Sequence, residues 1–218
     1  MEKRAAAAAT GLVAPVQAAV TILAATVVDP GFSWADDALS NLGELPVSES
    51  ITLSFFASAP EFVLFNGGLI LTGLVGLPFA WRLWTDAENA FHRLGAVEFA
   101  GALIALALVG VFHIPRDPHG AVAITHYLLG IVFMWTHGTG SVLAGRPRWG
   151  LLTIWLGIFH LLAWLVWAAA LTGPIPGLAI PETVGAAVFG GWSLVAASAK
   201  LGWPPLPKPL RPESPPVE

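Results

Sequence analysis

FHIPRDPHGAVAITHYLLGIVFMWTH, residues 112–137, decides the fold. Its polar centre, His113 to His119, is short and separates two apolar stretches, roughly 92–113 and 119–144. A membrane-spanning helix needs about 20 mostly apolar residues, and both stretches meet that length. Asp117-Pro118-His119 reads as a helix start, with Asp117 as cap and Pro118 at the first helical position, where its missing N–H costs nothing. The segment is therefore a hairpin of two membrane helices, and four of the chain's six histidines lie in it.

Working outward, four more stretches satisfy the same criterion, at about 5–28, 60–84, 150–172 and 182–200. The composition agrees: 56% of the 218 residues are hydrophobic and 11% charged, with a mean hydropathy of +0.72. Such a chain is an all-α, polytopic membrane helix bundle rather than a soluble domain. Residues 1–200 form one six-span domain, and the proline-rich 201–218 is an extended or disordered tail. The first apolar stretch follows Glu2-Lys3-Arg4 and exceeds the usual h-region of about 7–15 residues, so it reads as a retained span, not a signal peptide.

Nine Lys and Arg residues fall on one side of this arrangement and only Arg116 on the other. By the positive-inside rule both termini are cytoplasmic and the chain is a multi-pass cell-membrane protein, with loops 29–59, 114–118 and 173–181 outward. Trp81, Trp84, Trp149 and Trp203 then mark the inner interface, with Trp34 and Trp167 near the outer one. The long outer loop carries ITLSFFASA, too short to span, which predicts an interfacial or re-entrant helix. The partner implied throughout is the lipid bilayer; no basic patch with interleaved aromatics points to nucleic acid. The absence of Cys removes disulfide and thiolate chemistry.

The polar residues inside the spans need reasons. At about 100° per residue, His119, His126 and His137 fall on one helix face, with Gly130 and Ser141 beside it. A full charge at the bilayer centre costs about 2.5–3.5 kcal/mol on insertion scales, so that face should point into the bundle. Depth matching pairs Glu98 with His137 as an inner polar pair, while His160 reads as a lone interhelical donor. At the outer end Ser40, Asn41, Glu61, Asn66, His113, Asp117, His119 and His126 form a candidate polar cluster. Of these, His113, Asp117, His119 and His126 are the residue types that would hold a catalytic zinc, although no HExxH-like spacing occurs.

The run Ala38-Leu39-Ser40-Asn41-Leu42-Gly43, then Phe65-Asn66-Gly67-Gly68-Leu69 with Gly73, then Gly110-Val111-Phe112 followed by Pro115 and His119-Gly120, resembles the domain of unknown function 998 membrane proteins of archaea and bacteria. The resemblance covers most of residues 10–200 and implies a prokaryotic, archaeal-type integral membrane protein with no established activity. Asn41 stands where that family often has Asp. A second, weaker similarity is to the alkaline ceramidase and progestin-receptor-like membrane hydrolases. Ser40, Asp117, His113, His119 and His126 are the nearest equivalents of their zinc-site residues, but their seven spans and late HxxxH are missing here. The expected function is a structural or partner- or lipid-binding bundle. The alternatives are a metal-dependent hydrolase of a lipid-like substrate and a proton-coupled small-molecule transporter.

Overall fold

The structure is a computed structural model that describes residues 2–45, 50–170 and 177–203. Among these residues there is no strand, and six helices are long and apolar enough to cross a membrane. In chain order the helices are α1 (Glu2–Val28), the short α2 (Leu53–Ser58), α3 (Pro60–Thr85), α4 (Ala90–Val111), α5 (Pro118–Leu143), α6 (Pro147–Ala170) and α7 (Ala179–Lys200). All but α2 are candidate spans, and the six match the sequence expectation to within three residues at each end.

The reason these segments are helical is the absence of any other way to satisfy the backbone in hydrocarbon, where each N–H and C=O needs an internal partner. The side chains of Val20, Leu74, Ile104, Trp155 and Val166 are half or more exposed. That surface suits lipid and carries no hydrophobic penalty there. Helices are drawn together instead by close packing. Gly138 of α5 and Gly150 of α6 face one another so closely that a Cβ on Gly150 would lie 2.5 Å from the Gly138 carbonyl oxygen. Polar ties add to this: Gln17 of α1 accepts from Thr72 of α3 at 2.7 Å, and Ser193 of α7 donates to the Gly11 carbonyl at 2.9 Å.

Lys200 meets Asp86 at 2.7 Å, and Arg146 meets Glu88. The end of α7 and the 86–89 and 144–146 connections therefore share one end of the bundle, as does the start of α1 through Gly11. We call it the termini end. The opposite, loop end is roofed by residues 29–45. A 3-10 turn over Leu39–Gly43 sits on the helices there, and Gly177 and Ala179 donate to the Ala35 and Asp37 carbonyls at 2.7 and 2.9 Å. Helix α2 is the expected short element: Thr52 caps it by accepting from the Phe55 N–H, and Phe55 packs edge-on against Phe62. In α3 the chain makes a π-turn over Val63–Gly67, which carries Asn66. The proline-rich tail from 204, the 173–176 part of the last loop and the Ser48-Glu49 step lie outside the described residues.

Two details of the sequence reading need correction. Asp117 is exposed and makes no capping bond, because its own backbone is already helical. Trp149 is not an interface anchor alone; it stacks on the buried Trp192 at 6.1 Å.

Candidate functional site

Packing in the middle of the bundle is dominated by rings. Phe99 of α4, Phe133 of α5, and Phe189 and Trp192 of α7 are buried in one cluster. Phe99 stacks on Phe189 at 4.7 Å, and Phe133 meets Trp192 edge-on at 4.6 Å. These rings form an aromatic layer. A cavity of about 370 Å³ runs beside this layer between α1, α3 and α7, from the loop end down to Gly11, Phe79 and Ser193, and a recess of about 690 Å³ opens at the termini end. Phe189 lines the first and Trp192 the second, less than one turn apart on α7.

Most of the cavity wall is carbon, supplied by Ala14, Ala18 and Ile22 of α1, Leu69 of α3, Leu103 of α4 and Phe189 of α7. Towards the loop end it carries Ser40, His119, His126, Tyr127, Glu182 and Thr183. Each polar group is held by an identifiable element. Glu182 lies in the first turn of α7, and its Oε2 accepts from the Leu39 N–H at 2.6 Å, clamping the 39–43 turn onto the bundle. His126 is buried, and its Nδ1 bonds the Ala102 carbonyl of α4 at 2.9 Å. His119 Nδ1 bonds the Phe112 carbonyl at 2.8 Å, where α4 ends and its carbonyls lack helical partners. A histidine that gives Nδ1 to a carbonyl carries its proton there and keeps Nε2 as an acceptor. The Thr183 hydroxyl is buried with no protein partner. The cavity thus presents an apolar body and a polar end with unspent hydrogen-bonding capacity.

Only three residues of the outer cluster read from the sequence, Ser40, His119 and His126, reach this cavity. Three of the others do structural work around it. Asn66 donates to the Gly43 carbonyl at 3.0 Å, joining the π-turn to the roof. Asn41 accepts from the Ala38 N–H at 2.8 Å and so closes the 39–43 turn on itself. His113 is buried against Phe62 at 5.2 Å, with Nδ1 on the Ile114 carbonyl at 3.0 Å. Glu61 and Asp117 make no side-chain bond among the described residues and stand apart from the cavity.

His113, Asp117, His119 and His126 are therefore not brought together as one metal-binding group. No three His, Asp or Glu side chains converge on a point among the described residues, and the three imidazoles spend Nδ1 on three different carbonyls.

The inner pair also resolves differently. Glu98 Oε1 accepts from Thr136 at 3.2 Å, while His137, one residue on and about 100° round the helix, lies 4.7 Å ring to ring from His92. Phe133 sits between His126 and His137 on the same helix and is fully buried, so the polar stripe is broken by the aromatic layer. His160 is buried against Tyr127 at 5.9 Å, and neither ring nitrogen has a protein partner, so it is not the interhelical donor expected.

Sequence reasoning missed Glu182, Tyr127 and His92. Glu182 was findable as an acidic residue inside an apolar span, a rare and costly placement. Tyr127 and His92 had no signal of their own, since their role depends on what α6, α7 and α5 bring opposite them.

A family model described as "Protein of unknown function (DUF998)" matches residues 12–199. No curated protein and no solved structure matches the chain.

Proposed function

The chain belongs to this family of unknown function, and from that premise we propose that it is a lipid-binding membrane protein. The cavity beside the aromatic layer would take the apolar chain of a lipid-like molecule with a hydrogen-bonding, uncharged head. The observation that carries this reading is one cavity of about 370 Å³ with mostly carbon walls, in which Thr72 and Ser193 spend their hydroxyls on neighbouring helices while the polar groups with capacity to spare gather at the loop end. An engineered apolar cavity of about 150 Å³ holds benzene, so this one has room for roughly fifteen carbon-sized groups. Ala19 and Leu23 of α1 and Ala186 and Ala187 of α7 are exposed wall residues at membrane depth, which favours access from the side, between those helices.

A chain already in the bilayer gains no hydrophobic free energy by moving into an apolar cavity. Selection then falls to the polar end, where Ser40, His119 Nε2, His126 Nε2, the Tyr127 hydroxyl and Thr183 are available. Hydrolase and transporter readings draw no comparable support. Among the described residues no three His, Asp or Glu side chains are grouped as metal ligands, and the buried Phe133 interrupts the histidine stripe that a proton path would follow.

The test is native mass spectrometry of the full chain released from lipid, comparing wild type with Ala187→Phe, which fills the cavity, and His126→Leu, which strips a polar group. Co-purifying lipid-like ligand lost in both variants, with the fold intact by circular dichroism, supports the reading. Wild-type protein free of any specific ligand across lipid extracts overturns it.

The same proposal places the termini in the cytoplasm and the protein in the cell membrane, on the strength of the Lys and Arg distribution. Because the chain has no Cys, single-Cys variants at Lys3, Arg116 and Arg146 label cleanly. Of these, only Arg116→Cys should react with an impermeant thiol reagent added outside intact cells.

A further inference from the structure

We propose that the recess at the termini end is a second binding site, one that takes a phosphate group carried either on a lipid or free in solution. It shares no lining residue with the cavity described above.

The argument starts from charge. The recess of about 690 Å³ is lined by Arg82 of α3, Arg146 and Lys200, three cations, against two carboxylates, Asp86 and Glu88. Both carboxylates are already committed. Asp86 Oδ2 accepts from Lys200 Nζ at 2.7 Å and is ion-paired with Arg82, whose Nε lies 3.0 Å away without hydrogen-bond alignment, and Glu88 Oε1 accepts from Arg146 Nη2. What remains is a surplus of donors and one unit of positive charge.

Arg82 sharpens this. Its side chain is only 15% exposed, and both Nε and Nη1 are buried with no hydrogen-bond partner. A guanidinium has five N–H donors and no acceptor, and leaving a buried one unmade costs more than an exposed one. An oxyanion seated in the recess that Arg82 lines would draw the guanidinium towards it and give these donors an acceptor, and guanidinium geometry matches phosphate oxygens. Lys200 and Arg146 approach from two other elements, so donors converge from three directions, as the several oxygens of a phosphate need.

The recess also has an apolar floor, made by Trp192, Trp149 and Ala196. A polar rim over an aromatic floor at a bundle end is where a phosphate with an apolar attachment would rest, at headgroup depth. Solvent reaches the rim cations, so salt should weaken the binding.

The test uses the full chain in mild detergent, incubated with phosphatidic acid and phosphatidylcholine together, and bound lipid is quantified after size exclusion. Wild type should enrich phosphatidic acid. Removing one charge-assisted contact should lower that enrichment about tenfold, in Arg82→Gln and to a lesser degree in Lys200→Gln. Inorganic phosphate is then added as competitor. Displacement supports a site that accepts the free group, and undisturbed retention supports a site specific to the lipid headgroup. No enrichment together with no inorganic phosphate binding by wild type overturns the proposal, as does enrichment unchanged in both variants. If Arg82→Gln does not fold, Lys200→Gln and Arg146→Gln, whose side chains are more exposed, carry the same comparison.

Discussion

Replacing Glu182 should loosen the roof of the bundle in a graded way. Its Oε2 is the acceptor for the Leu39 N–H, and both residues are buried, at 8% and 5% exposure. Glu182→Leu leaves that N–H without a partner away from water, at a cost of about 1–3 kcal/mol. Glu182→Gln keeps an oxygen in place, so it should cost about 1 kcal/mol or less. The affected motion is local, because the 29–45 segment is also held at Asn66–Gly43, Gly177–Ala35 and Ala179–Asp37. Limited proteolysis of the purified chain reads it directly. When opening is fast relative to cleavage, the rate follows the population of the open form, so about 2 kcal/mol corresponds to roughly thirtyfold faster cutting between residues 29 and 45. Asn66→Leu removes an independent tie, and its effect should add to that of Glu182→Leu within a few tenths of a kcal/mol, as separate sites do. Cutting of Glu182→Leu no faster than wild type, or Gln and Leu variants cut equally fast, would refute the clamp.

Three further outcomes can be measured. Gly150→Ala puts a methyl against the Gly138 carbonyl oxygen, where backbone must move; a loss of about 1–3 kcal/mol is expected, read as earlier thermal aggregation than in Gly67→Ala, whose Cβ would meet nothing within 4 Å. A strong chelator should leave the melting curve of the purified chain unchanged, and stoichiometric zinc in protein never exposed to a metal column would contradict the dispersed His113, Asp117, His119 and His126. The hydrogen bond from Arg146 holds the Glu88 carboxyl below its ordinary pKa. A group depressed in the folded state contributes stability above its unfolded pKa and loses it as pH falls through the folded one. The small advantage of wild type over Glu88→Gln should therefore be present at neutral pH, shrink with salt and vanish in acid; an advantage that grew on acidification would show the sign to be wrong.

Length and hydropathy alone located the six spans, because a helix is the one way to satisfy a continuous backbone in lipid and its length is set by the bilayer. The order of Pro, Gly and charge between the spans located the loops for the same reason. The sequence also marked Ser40, His119 and His126 as polar groups in need of an explanation, since their placement is costly wherever their partners lie. What it could not supply was the partner. Thr136 rather than His137 meets Glu98, because one residue is about 100° of rotation and depth matching ignores it. Phe133 breaks the histidine stripe, yet its neighbours Phe99, Phe189 and Trp192 come from two other helices. Glu182 meets Leu39, and Arg82 meets Asp86 and the recess, through contacts set by how six helices pack. Helix formation is local in sequence and so readable along it; a cavity is the space left between helices, and its shape and lining exist only once all of them are in place.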